Sequence, residues 1–104
     1  MIARIWHGWT TREYAEEYER LLREEVLLEI AKRAIPGYKG GEIFIHEAEN
    51  DEVEFITLLR FDTLDAVKIF AGKDYKKPVI PPACKRVLKR HSERSRHYRV
   101  VPIN

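Results

Sequence analysis

Two apolar periodicities, met in a fixed order along the chain, constrain its fold more than anything else in the sequence. From Ile2 to Trp9 the residues alternate, with Ala3, Ile5 and His7 on one side and Ile2, Arg4 and Trp6 on the other, the period of a strand. The spacing then changes to three or four. Ala15, Tyr18, Leu22, Val26, Ile30 and Ala34 fall on one side of a helix, and Glu13, Glu16, Glu17, Glu24 and Glu29 load the other. Thr10-Thr11-Arg12-Glu13 reads as the capping box that starts this helix, and Pro36-Gly37 as its stop after about Arg33. Alternation returns in Ile43 to His46 and again in Val53 to Phe61, across a polar turn at Asn50-Asp51, the pattern of an antiparallel hairpin. Asp62 is expected to cap a second helix, Thr63 to Phe70, that ends at Gly72. After a Lys- and Pro-rich loop at 73–82, Ala83 to Arg90 reads as a short helix and His97 to Val101 as a closing strand.

The order is β-α-β-β-α-β, a split βαβ, ferredoxin-like α+β arrangement with helices on one face of an antiparallel four-stranded sheet. At 104 residues and 12.3 kDa the chain has material for one core, so residues 1–104 are read as a single domain. Helices cover only one sheet face. The other is assigned Ile2, Trp6, Phe44, Val53, Phe55, Leu59 and Phe61, more apolar surface than a monomer leaves in water. A homodimer is therefore expected, with Trp6, Phe55 and Phe61 at its interface.

Composition narrows the class. With 44% apolar and 35% charged residues the chain is globular and not disordered. Its apolar runs are too short to cross a bilayer, and Met1 to His7 lacks the pattern of a secretory signal. Cys84 stands alone, which fits a reducing compartment, so a cytoplasmic protein is expected. The net charge of +2 conceals a basic segment, 76–99, with nine Lys or Arg against Glu93. Nucleic acid is disfavoured because the remainder is acidic and would repel phosphate. The basic segment is expected to lie beside the acidic first helix of this chain or of a partner chain. An RNA-recognition role is disfavoured too, since the third strand carries Phe55 and Phe61 but no Lys/Arg-Gly-aromatic run. His7, His46, His91 and His97 show no i, i+4 pair and Cys84 no CxxC partner, so no metal is expected; a glycine-rich phosphate loop is missing as well, and no cofactor is indicated.

Several stretches together resemble the antibiotic biosynthesis monooxygenase-like family of dimeric α/β barrels. They are the strand Ile2-Ala3-Arg4-Ile5-Trp6-His7-Gly8, the Ile35-Pro36-Gly37-Tyr38 turn, Phe55 to Phe61 with Asp62-Thr63-Leu64-Asp65-Ala66, then Phe70-Ala71-Gly72 and His97-Tyr98-x-Val100. The resemblance spans nearly the whole chain, but its motifs place the fold and carry no catalytic signature. It implies a pocket within each subunit, between sheet and helices, with the other sheet face building the dimer. Relatives include cofactor-free monooxygenases that act on quinol-type substrates with O2, haem-degrading enzymes, and proteins of no known activity. The haem-degrading pattern requires an asparagine on the first strand, a tryptophan on the second helix and a histidine soon after. The matching positions here are His7, Phe70 and no histidine near residue 80, so haem degradation is disfavoured.

On this resemblance the helix-side face carries Ala3, Ile5 and His7 with Ile56, Leu58 and Arg60. His7 is then the candidate base that deprotonates a phenol or hydroquinone, and Arg60 the candidate cation for a developing oxyanion. Phe70, Tyr75 and Ile5 would bind a small aromatic ligand. Blander readings stand beside these: a strand-end histidine that is only hydrogen-bonded, an Arg60 ion pair with a helix carboxylate, and Phe70 and Tyr75 as packing residues. A non-catalytic ligand-binding or stress-associated dimer would use the same cavity.

Overall fold

A computed structural model describes residues 1–47 and 50–104. Strand β1 (Ile2–Thr11) leads into α1 (Arg12–Arg20), which continues without a break through a π-helical segment (Leu21–Val26) into α2 (Leu27–Lys32). The hairpin strands β2 (Tyr38–Glu47) and β3 (Glu52–Phe61) follow, then α3 (Leu64–Ala71), α4 (Pro82–Val87), a short β4 (Arg90–His91) and β5 (Arg96–Arg99). All the pairings are antiparallel. The sheet runs β2-β3-β1-β4, and β5 pairs with the same edge of β1 nearer its start.

The π segment has a reason in the sequence. Tyr18, Leu22, Val26 and Ile30 follow one another at intervals of four, and an α-helix turning about 100° per residue drifts roughly 40° at each such step. A stretch wound more loosely than 3.6 residues per turn keeps the stripe pointed at the sheet. Tyr18, Leu22 and Ile30 are accordingly buried and Val26 half-buried.

Helix ends differ in detail from the expected caps. Thr10 does not form a capping box: it is fully buried on β1, and its hydroxyl donates to the Val87 carbonyl at 2.6 Å. Thr11 is the N-cap residue of α1, without a side-chain cap bond. At α3 the cap is Thr63, whose Oγ1 accepts from the Ala66 amide at 3.2 Å, and not Asp62. Gly37, at φ 87°, lies where a Cβ would sit 2.8 Å from the Ala66 Cβ, so this turn needs glycine twice over.

The principal correction concerns which face is which. Opposed residues of an antiparallel pair share a face, and the register sets Arg4 against Leu59, Trp6 against Thr57, Gly8 against Phe55 and Ile2 against Phe61. Phe55, Leu59 and Phe61 are 1%, 5% and 0% exposed beneath the helices. One core gathers Phe61 with Ile30, Ile35, Leu59, Val67 and Phe70; the other gathers Phe55 with Tyr18, Leu21, Leu22, Val53 and Cys84. Phe55 and Phe61 are therefore interior residues of the single chain and not interface residues. The face without helices is the one expected to be inside, Ala3, Ile5 and His7 with Ile56, Leu58 and Arg60; Trp9 shares it, and of these Ala3 is buried at 6% exposure. Phe44 of β2 lies opposite Ile56 and is 45% exposed on this same face.

The basic segment also sits differently. α4 packs on the first helix by apolar contact of Ala83, Cys84 and Val87, but the ion pairs lie elsewhere. Lys89 and Arg90 both reach Glu52 on β3, at 3.2 and 3.0 Å, and Arg94 reaches Asp74 at 3.7 Å. The acids of the first helix pair instead with its own arginines, Arg20 and Arg23. No helix among the described residues is long and apolar enough to cross a membrane.

Candidate ligand site

A cavity of about 350 Å³ opens between the two cores, beneath the long helix. Leu21, Leu22, Val26 and Ile30 roof it. Its floor is the helix-side face of the sheet: Arg4 and Trp6 of β1, Thr57 and Leu59 of β3. Phe70 closes one end, and Pro78 to Pro81 with Ala83 and Cys84 wall another. Glu25, Glu29 and Arg33 stand at the rim. The lining is predominantly apolar, with a few convergent polar groups, the usual make-up of a small-molecule site.

Arg4 is the unusual member. It is 4% exposed, and burial holds its guanidinium down to about 10, still cationic at neutral pH. Nη1 donates to the Tyr75 carbonyl and faces His97 Nε2 at 3.0 Å, while Nη2 donates to the Lys77 carbonyl at 3.1 Å. A guanidinium has no acceptor, so His97 Nε2 must accept here and its ring hydrogen sits on Nδ1. Burial, with Arg4 and Lys76 nearby, lowers the His97 imidazole to about 4. Two guanidinium groups stand over the Phe70 ring, Arg4 at 5.4 Å and Arg33 at 5.2 Å from its centroid. Cys84, pushed up to about 11 by burial and then by Glu25, is a neutral thiol in the wall.

The His97 shift has a stability consequence. Its folded value lies below the ordinary 6.5, so as pH falls through 6.5 the unfolded chain takes up a proton that the folded chain declines. The contribution is intact above pH 6.5 and is lost progressively down to about 4. Urea midpoints measured across that window should fall more steeply for the wild type than for His97→Asn.

The expected site residues divide between the two faces. Phe70 lines the cavity, and so does Trp6, which was expected at the interface. Tyr75 approaches through its carbonyl on Arg4, its ring packed edge-on against His97 at 5.2 Å. Ile5, His7 and Arg60 do not line the cavity and stand on the uncovered face. There His7 Nδ1 lies 2.8 Å from Glu54 Oε2 and its ring stacks on Trp9, while Arg60 forms an ion pair with Glu42. The base and oxyanion roles of His7 and Arg60 were expected at a helix-covered pocket, which neither side chain faces; Ile5 and His7 line a hollow on the other face with Trp9, Glu54 and Tyr98. Arg4 was missed, although a lone arginine inside an otherwise apolar strand was the available signal.

No family model matches the chain, and no curated protein matches its sequence. Among solved structures, a Bacillus cereus protein with a provisional assignment as an antibiotic biosynthesis monooxygenase matches with a TM-score of 0.69. The match covers 99% of this chain and 95% of that one at 10% identity. The two share one fold. It is the α+β, ferredoxin-like fold that the resemblance in the sequence implied, and at this identity the likeness speaks for the fold alone.

Proposed function

We propose that this chain is a homodimer whose helix-covered cavity binds a compact, largely aromatic molecule. The cavity itself carries the reading: about 350 Å³ in a 104-residue chain, walled by apolar side chains and the rings of Trp6, Tyr18 and Phe70. The dimer rests on the uncovered face, where Ile5, Trp9, Phe44, Ile56 and Leu58 form an apolar surface that a second sheet would cover.

The finer form of the proposal is cofactor-free monooxygenation, supported by the fold shared with the Bacillus cereus protein. A hydroquinone bound in the cavity would lose a proton and give electrons to O2. One oxygen atom would enter the ring to leave a hydroxyquinone and the other would depart as water, all four electrons coming from the substrate. A second reading, a binding protein without turnover, draws on the lining: among the described residues that line the cavity there is no imidazole, and its carboxylates, Glu25 and Glu29, sit at the rim.

Titration of naphthols and hydroquinones against Trp6 fluorescence, with oxygen uptake recorded in parallel, tests both. Binding is expected in the wild type and a loss of at least about tenfold in Ala83→Trp, which fills the cavity. Because Trp9 and the new indole at 83 also fluoresce, binding to this variant is read by calorimetry, and oxygen uptake that survives Ala83→Trp would remove the cavity as the site of turnover. Binding with no uptake selects the second reading.

A further inference from the structure

We infer that the cavity selects organic anions, an aromatic carboxylate above all, and that Arg4 is the residue that selects them. The inference rests on the cavity reading and adds the charge of the guest. Arg4 stands on the floor, 4% exposed, and among the described residues no carboxylate lies within ion-pair distance of it. A buried cation satisfied by neutral groups alone keeps much of its desolvation cost, and an anion brought alongside recovers it. The two carbonyls and His97 occupy three N–H positions on Nη1 and Nη2. A guanidinium has five, so the Nε hydrogen and one on Nη2 remain to donate to an anion.

The groups that hold Arg4 also fix its aim. Tyr75 and Lys77 offer carbonyls from the loop, and the Arg4 Cζ stands over the Phe70 ring at 5.4 Å. A side chain pinned in this way loses little freedom when a ligand arrives. The rim acids do not cancel the preference. Glu25 is paired with Arg20 at 3.1 Å and Glu29 with Lys32 at 3.9 Å, both exposed to solvent, whereas Arg33 adds a second cation at the same end as Phe70. A simply structural Arg4, tying the loop to the sheet, would use the same three bonds and show no preference for charge in the guest.

The experiment compares 2-naphthoate with 2-naphthylmethanol, two ligands of closely similar shape that differ in charge, by calorimetric titration at pH 7. The wild type should bind the naphthoate about ten- to a hundredfold more tightly, the range for charge-assisted bonds in a buried site. Arg4→Gln should bring the two affinities within about threefold of each other, the larger loss falling on the naphthoate; continued binding of the alcohol reports that the cavity is still formed. Arg33→Gln should shift the ratio by less than about threefold. Equal affinities in the wild type, or a preference that survives Arg4→Gln or vanishes in Arg33→Gln, would overturn the inference; should Arg4→Gln not fold, the wild-type ratio and Arg33→Gln together decide. Binding of the alcohol alone leaves the cavity reading standing and refutes this one. Binding of neither ligand removes both.

Discussion

Replacing Leu58 with glutamate should leave the fold of each chain intact and abolish its self-association. Leu58 points away from the helices, half-buried in the single chain, beside Ile5 on β1 and opposite Glu42 on β2. Its surroundings within the chain already face water, so a carboxylate there costs the protomer little. In a two-fold sheet-on-sheet dimer each substitution occurs twice, and two unpaired carboxylates are carried into one interface. Each costs several kcal/mol when desolvated without a partner, so the dimer should weaken by well over a hundredfold. Sedimentation at micromolar concentration should show a dimer for the wild type and a monomer for Leu58→Glu, with matching circular dichroism. A wild type that sediments as a monomer would end the proposed assembly; a Leu58→Glu dimer would place the interface elsewhere.

The second large effect belongs to the other face and is best measured in that monomeric background. Phe61→Ala should lower the unfolding free energy by about 3–5 kcal/mol, the usual cost of deleting a large aromatic side chain from a packed interior. Phe61 is 0% exposed; its ring meets Tyr38 at 5.5 Å and Phe70 at 5.6 Å, and Ile30, Ile35 and Val67 complete its surroundings. All of those contacts lie within one chain. Urea unfolding of Leu58→Glu with and without Phe61→Ala isolates them from any association. A difference below about 1 kcal/mol would mean that the helices do not bury this residue, and the face assignment would revert to the one the sequence suggested.

That assignment shows where the sequence ceased to be legible. Alternation in β1 and β3 sorted their residues into two sets without error, and the element order followed from the change of period. Neither reveals which set meets the helices, because both carry apolar side chains: Ala3, Ile5, Ile56 and Leu58 on one face, Phe55, Leu59 and Phe61 on the other. Size was the neglected clue, since the larger rings fill the interior. Arg4 and Trp6 pulled the other way, a charge and a polar indole that look misplaced under helices until the cavity between the two cores is seen. The hairpin register hid a further trap. Phe44 and Phe55 look like partners in the sequence, but β2 sets Ile45 against Phe55 and leaves Phe44 on the opposite face. The long helix, its stop and the second helix were readable because glycine, proline and a fourfold spacing act locally. The short β4 and the carbonyls that fix Arg4 were not, because they depend on contacts some seventy to ninety residues apart.

In the proposed assembly Arg4 and Trp6 of β1 with Thr57 and Leu59 of β3 would face the guest, while their immediate chain neighbours would face the twin. Point substitutions can therefore retune what is held without altering who is joined, since each edits one reading of the strand and spares the other. A residue gained or lost within either strand would exchange both vocabularies at once. Length changes should therefore be tolerated in the turns and not within these two strands, where only single-residue replacement keeps both faces in register.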